Sequence, residues 1–372
     1  MPSLVASPLV APSQSTSKAL FHDTSYTRYF TPPSSILPDA YIWPEQDRPS
    51  SIPDDNEASS RTEIPIIDMA DDEQTLIRNL ANACESWGVF YIVNHGVPAE
   101  LLNNVREKAL ELFSLPPSTK MRALRRDGSF EGFGKAPISK FFDSLMWSEG
   151  FTMMGYPTSS ISDTTSKLCP DGNNKFRGVF EEFDCAARRV AGRLLRVIMA
   201  GLGVRHGDEE QHDVEKESVT RSALQLNYYA PCDQAHMTMG LPAHTDSTCL
   251  TLLHQGLVPG LEVLHPSRCS WTPVPPLSAA PSSLVVHVGD MLQVISNGKY
   301  KSIVHRAIVN KTKARLSIVS LCFPSSNATI APSEAAVGTS KGGRSLYKPF
   351  KWEEFMQAKS KYFMAALDNF RC

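Results

Sequence analysis

His244-Thr245-Asp246 places an imidazole and a carboxylate two residues apart. On an extended strand, here expected over His244–Leu253, residues two apart point to the same face, so both side chains can reach one point. A second imidazole, His305, ends the run Lys301-Ser-Ile-Val-His305, 59 residues after Asp246, on another expected strand. Two imidazoles and one carboxylate fill three adjacent positions of an octahedron and leave three open, the arrangement that suits iron(II) in oxygen activation. Zinc competes for the same donors, so these three residues alone do not choose the metal. His95, His254, His265 and His287 carry no partner motif and are expected to be structural.

Arg315-Leu316-Ser317 begins ten residues after His305. On a strand Arg315 and Ser317 share a face, and that face continues with Val319, Leu321 and Phe323. A guanidinium on an apolar face is costly unless it meets an anion. It accepts a carboxylate in a fork, and a serine hydroxyl adds a third hydrogen bond. The expected anion is the distal carboxylate of 2-oxoglutarate. Its 2-oxo acid end would fill two of the three open metal positions and dioxygen the third. This pairing of a metal triad with a buried cation favours iron over zinc.

Positioning these residues calls for an α+β chain with a mainly β core. Residues 1–62 are rich in Pro, Ser and Asp and read as an extended arm. Residues 63–220 read as a mixed, mostly helical region. A short strand at Ile64–Asp68 leads to a helix capped by Asp71 or Asp72, with Leu76, Leu80, Ala83 and Trp87 on one face. A buried strand follows at Val89–Val93. Pro98 opens a second helix along Leu101, Val105, Ala109 and Leu112, and a loop is expected over 154–174. Phe176, Phe180, Phe183, Ala187, Val190, Leu194 and Ile198 recur at helical spacing and mark one long helix. Residues 221–325 change character. Short strands between Gly and Pro turns, at Ala223–Tyr229, Leu261–Leu264, Leu284–Val288, Met291–Ile295, Ser302–Val309 and Leu316–Phe323, suggest a sandwich or barrel. Residues 326–372 form a loop and a helix over Trp352–Phe370.

The 37 basic and 39 acidic residues of the 372-residue chain give a net charge of −2, which offers no reason to expect nucleic acid or an anionic membrane as partner. No apolar run approaches the roughly 18 residues of a membrane span. Eight cysteines form no CxxC pair and read as reduced thiols of a cytoplasmic protein. The glycosylation-type matches at Asn310 and Asn327 carry little weight without a secretory signal.

Together these residues resemble the plant-type 2-oxoglutarate/Fe(II)-dependent dioxygenases. The resemblance runs from about Ile64 to Leu367 and includes Trp87-Gly88-Val89-Phe90, Asn94-His95-Gly96, Gly289-Asp290 and Ser296-Asn297-Gly298. It implies a distorted double-stranded β-helix, or jelly roll, with iron inside and flanking helices. Asn227-Tyr228-Tyr229 looks like the family segment whose Asn and second Tyr help hold 2-oxoglutarate, which assigns those roles to Asn227 and Tyr229. Within the family, Ile138-Ser-Lys-Phe-Phe142, Met146-Trp-Ser-Glu-Gly-Phe-Thr152 and Ala243-His-Thr-Asp-Ser-Thr248 are similar to gibberellin 3-beta-dioxygenases. The segment Leu145–Gly150 departs from the gibberellin 20-oxidase pattern. The resemblance implies 3-beta-hydroxylation of a gibberellin precursor, an apolar carboxylic acid. Ascorbate would serve as reductant and the enzyme would act as a monomer. Another diterpenoid, another gibberellin position or a flavonoid is the alternative substrate, and a binding module without turnover the alternative class. Phe142, Trp147, Phe151 and Met153 are candidate pocket walls, although core packing would account for each of them equally well.

Overall fold

The computed structural model describes residues 37–49, 62–169, 171–204, 221–340 and 342–372. Most of the expected arm, 1–36 and 50–61, lies outside the described residues. The stretch between is docked rather than extended. Leu37, Tyr41 and Trp43 are buried, and Trp43 Nε1 donates to the Leu145 carbonyl at 2.9 Å.

The β core is two facing sheets. In the large one the order is β1 (Ile66–Asp68), β2 (Val89–Val93), β10 (Leu284–Val288), β7 (Leu250–His254), β12 (Arg315–Phe323), β5 (Arg221–Tyr229), β4 (Glu149–Met154) and β3 (Gly132–Gly134). The small one runs β6 (Leu241–His244), β11 (His305–Ala307), β8 (Leu261–Leu264) and β9 (Trp271–Pro273). Strands distant in sequence meet in the middle of both sheets, as β2 with β10, β7 with β12, β12 with β5 and β11 with β8, and the pairs are antiparallel except for β1 with β2. This is the jelly-roll arrangement of a mainly β core.

Three helices cover the outer face of the large sheet: α1 (Glu73–Ser86), α2 (Ala99–Phe113) and α3 (Arg177–Gly201). Asp72 caps α1, its side chain accepting from Thr75 N, which satisfies one of the open donors of the first turn. On α3, Phe180, Phe183, Ala187, Leu194 and Ile198 are buried in one cluster with Leu224, Leu226, Leu252 and Ile318. Each fully buried Leu or Phe contributes roughly 1.5–3 kcal/mol. The alternation of β12 follows: Leu316, Ile318 and Cys322 face the helices, while Arg315, Ser317, Val319, Leu321 and Phe323 face a cavity between the sheets. A fourth helix, α4 (Trp352–Tyr362), closes one side.

Four expectations need correction. The loop expected over 154–174 contains a helix at Ile161–Leu168; its buried positions include Thr164 and Thr165, so its apolar pattern is thin. Met291–Ile295 is not a strand but part of a six-residue helix, Asp290–Ile295. Its run of apolar residues does not separate the two periods over so short a length. The strand expected over His244–Leu253 is broken: β6 ends at His244 and β7 begins at Leu250. The C-terminal helix is interrupted at Phe363, whose φ of 50° and ψ of −117° lie outside the α-helical region.

Candidate active site

His244 ends β6 and His305 begins β11, and the two are paired directly across that ladder. Their rings lie 4.2 Å apart, centroid to centroid. Asp246 lies just beyond β6 rather than on it, and its Oδ1 approaches His244 Nε2 at 3.8 Å and His305 Nε2 at 3.7 Å. One ligand atom from each residue falls within 4.8 Å of the others, a spacing that could hold a metal ion. Each imidazole is oriented for that role. His244 Nδ1 is 2.8 Å from the Pro242 carbonyl and His305 Nδ1 is 3.1 Å from the Ile303 carbonyl. A carbonyl only accepts, so each Nδ1 carries the proton and each Nε2 keeps its lone pair free.

Electrostatics support the same reading. Burial pushes both imidazoles below their usual range, His305 furthest, with the neighbouring His244 adding to it. They are therefore neutral, the form that ligates. Burial works against the charge of Asp246, while its contacts with His305, His287 and His244 hold the carboxyl below the usual range. Its Oδ2 is buried without a hydrogen-bond partner among the described residues. A buried anion with a free oxygen, beside two free imidazole nitrogens, is a donor set that fits a divalent cation.

The loop that carries Asp246 is clamped. Asp290 N donates to the Asp246 carbonyl at 2.8 Å. Lys359, on α4, donates to Asp290 Oδ2 at 2.7 Å and to Thr245 Oγ1 at 2.6 Å. A Cβ at Gly289 would stand 2.1 Å from the Thr248 carbonyl oxygen, so only glycine lets this loop lie on the start of the Asp290–Ile295 helix. His287 flanks the triad, its Nδ1 3.5 Å from Asp246 Oδ2 and its ring 4.3 Å from that of His305. Sequence reasoning set His287 aside as structural and did not single out Lys359. Their position against the Asp246 loop depends on long-range pairing that no local pattern encodes.

Arg315 begins β12 and is among the largest fully buried side chains, 1% exposed. Among the described residues, its Nε and Nη1 are buried without a hydrogen-bond partner, and no carboxylate pairs with it. Burial lowers its pKa, partly offset by Tyr229, whose ring lies 5.1 Å from the guanidinium carbon. The register sets Tyr229 opposite Arg315 and Asn227 opposite Ser317. Asn227 Nδ2 donates to Ser317 Oγ at 3.4 Å. Leaving a buried cation unpaired costs several kcal/mol, and two free donors in one plane match a carboxylate. Four residues expected at this end are thus brought together.

Both groups line one cavity of about 490 Å³, within the range of small-molecule sites. The expected wall residues are not among its lining. Phe151 and Met153 face the helices instead: they pair with Leu226 and Leu224, and both belong to the helix-facing core. The next residue, Met154, pairs with Ala223 and lines the cavity. A single step along a strand exchanges the faces. Phe142 packs against Trp43 at 5.3 Å and Phe363 at 5.6 Å, and Trp147 packs on Tyr41 and donates to the Ala230 carbonyl. Ile138, Phe141 and Phe130 hold the wall positions from this region.

Residues 220–324 match the model of the 2OG-Fe(II) oxygenase superfamily, and residues 64–171 match that of the non-haem dioxygenase in morphine synthesis N-terminal region. The crystal structure of JOX2 in complex with 2OG, Fe and JA superposes with a TM-score of 0.77 at 28% identity, covering 93% of this chain and 97% of that one. The dioxygenase for auxin oxidation in rice does so with 0.67 at 25%, over 83% and 100%. The chain belongs to the 2-oxoglutarate/Fe(II)-dependent oxygenases, with iron(II) and 2-oxoglutarate as its cofactor and cosubstrate. Within that family it is similar to gibberellin 3-beta-dioxygenase 3 of Arabidopsis thaliana, 39% identical over 91% of this chain and 93% of that protein. It is also similar to gibberellin 3-beta-dioxygenase 1 of Pisum sativum, 36% identical over 90% and 87%. No helix among the described residues is long and apolar enough to cross a membrane.

Proposed function

We propose that this oxygenase hydroxylates a gibberellin precursor at carbon 3 on the beta face. In this reading His244, Asp246 and His305 hold the iron, and Arg315, Ser317, Tyr229 and Asn227 hold 2-oxoglutarate. The observation that carries the substrate is the similarity to gibberellin 3-beta-dioxygenases along about nine-tenths of the chain. The site assignment rests on the free donors of Arg315 and the free Nε2 atoms of both histidines. Ascorbate serves as reductant. In the same reading the enzyme works in the cytoplasm as a monomer.

Bound iron(II), with 2-oxoglutarate and dioxygen, supplies the oxidation that converts a substrate C–H to C–OH, 2-oxoglutarate leaving as succinate and carbon dioxide. The protein supplies orientation. His244 and His305, each locked by a backbone carbonyl, and Asp246, fixed by its clamped loop, would hold the iron(II). Arg315 fixes the distal carboxylate, which sets the 2-oxo acid end toward the triad. The apolar walls exclude water from the reacting carbon. No side chain needs to remove a proton from that carbon.

The experiment offers purified protein, with iron(II), ascorbate and 2-oxoglutarate, a panel of gibberellin precursors and a flavanone. A 3-beta-hydroxylated gibberellin, formed with stoichiometric succinate and identified by mass spectrometry, is the expected product. Turnover of the flavanone alone would overturn the substrate assignment. Full activity in His305→Ala would overturn the metal assignment.

A further inference from the structure

A diterpenoid acid brings one carboxylate into this cavity, and the cavity wall carries five cations: Lys140, Arg221, Arg306, Arg315 and Lys359. Three are already committed. Arg306 pairs with buried Glu262 at 2.7 Å, Lys359 pairs with Asp290 at 2.7 Å, and Arg315 is the 2-oxoglutarate residue. Lys140 is exposed, with its Nζ 5.1 Å from the centre of the Phe141 ring. There a carboxylate would be screened by water and the flexible lysine stem would have to be ordered. Arg221 differs on each count. It is half-buried, and among the described residues it pairs with no carboxylate. Its guanidinium is held over two rings, 5.4 Å from the centre of Phe323 and 5.6 Å from that of Trp352. Nη1 donates to Ser326 Oγ at 2.9 Å, leaving the rest of the planar fork for an anion.

Its place in the fold suits the role. Arg221 and Arg315 stand at opposite ends of the same β5–β12 ladder: Arg221 pairs with Phe323, and Arg315 with Tyr229. Both face the cavity, separated by eight residues, or about 26 Å along a strand. One cavity thus has a carboxylate-accepting arginine at each end. Trp352, one of the rings beneath Arg221, donates through Nε1 to the Ser247 carbonyl at 3.2 Å, and Ser247 adjoins Asp246. One aromatic side chain therefore separates Arg221 from the metal loop.

We propose that Arg221, held over Phe323 and Trp352, binds the carboxylate of the substrate and so sets which carbon of the rigid ring system faces the metal. The inference rests on the gibberellin reading and adds the specificity-determining residue to it. The wild-type protein should turn over a gibberellin acid about 100-fold more efficiently than its methyl ester, chiefly through KM, as expected when a charge-assisted fork is lost. Arg221→Met should bring the acid down to the level of the ester. Arg221→Lys should recover part of the preference, and Lys140→Met should keep all of it. A retained Kd for 2-oxoglutarate, measured by calorimetry, certifies that the Arg221 variants fold.

Equal turnover of acid and ester by wild type, or a preference that survives Arg221→Met, overturns the inference and leaves the gibberellin reading in place. If wild type hydroxylates no gibberellin, that reading falls, and equilibrium binding of the same acid decides the inference. Binding that weakens in Arg221→Met upholds it, and binding that does not overturns it.

Discussion

Lys359 Nζ lies 2.7 Å from Asp290 Oδ2, although 69 residues separate the two. The pair joins α4 to the helix beneath the Asp246 loop, and the same ammonium donates to Thr245 Oγ1. Both partners are buried. Removing one partner of such a pair leaves an uncompensated charge, a loss of about 3–5 kcal/mol. Lys359→Met should therefore lower thermal stability by that order. It should also weaken iron(II) binding, because Thr245 sits between the two ligands of the loop. Calorimetric titration of the apoprotein with iron(II) under anaerobic conditions reads the second effect. An unchanged metal affinity would confine Lys359 to scaffolding.

At the other end of the cavity, Arg315→Lys keeps the charge and discards the fork. Losing one charge-assisted hydrogen bond costs about 1.5–3 kcal/mol, or roughly 10- to 100-fold in affinity. KM for 2-oxoglutarate should rise by that factor and the iron(II) affinity should stay as in wild type. Arg315→Gln should do worse, because it leaves the incoming carboxylate without a cation. If 2-oxoglutarate KM did not move in either variant, the carboxylate would bind elsewhere.

These two sites were unequally legible in the sequence. His244, Asp246, His305 and Arg315 could be found because their types are chemically unusual for where they stand: donors spaced to meet, and a cation on an alternating apolar face. The strand assignment behind the first pair was still wrong in detail, since Asp246 lies past the end of β6. The wall residues were not legible. Phe151 and Met153 are apolar and buried, as a cavity wall would be, and the sequence holds no mark of which face of β4 meets the helices. That parity is set by the pairing of β4 with β5, a contact between segments some 70 residues apart. Lys359 and Arg221 were hidden for the same reason, because their partners belong to other elements.

Acid should destabilise the metal-free protein in a definite window. Burial, assisted by the charge of Arg106, lowers the pKa of His254 from 6.5 to about 4. As pH falls, the unfolded chain takes up this proton near 6.5 and the folded chain only near 4, so acid favours unfolding. At 1.36 kcal/mol per unit the group alone removes about 3 kcal/mol across that window. Buried His244 and His305, with lowered pKa values, act in the same direction. His254→Gln should flatten the dependence of apoprotein stability on pH by about that amount, measured by urea unfolding at several pH values. A variant as steep as wild type would show that His254 does not stay neutral in the fold.

Gly289 offers a test of how closely the metal loop must lie against its support. The Thr248 carbonyl oxygen stands 2.1 Å from where a Cβ would be. The obstructing atom is backbone, so relief requires the loop itself to move. Gly289 has no positive φ, so the cost of Gly289→Ala is steric rather than conformational. Overpacking of this kind costs about 1–3 kcal/mol. The displacement would strain the bond from Asp290 N to the Asp246 carbonyl and move the Asp246 carboxylate away from the two imidazoles. Gly289→Ala should therefore lose iron(II) affinity while its affinity for 2-oxoglutarate analogues at Arg315 changes less, because the cosubstrate end is built on β5 and β12. A loss of stability with no change in metal affinity would mean that the loop moves without carrying Asp246 with it.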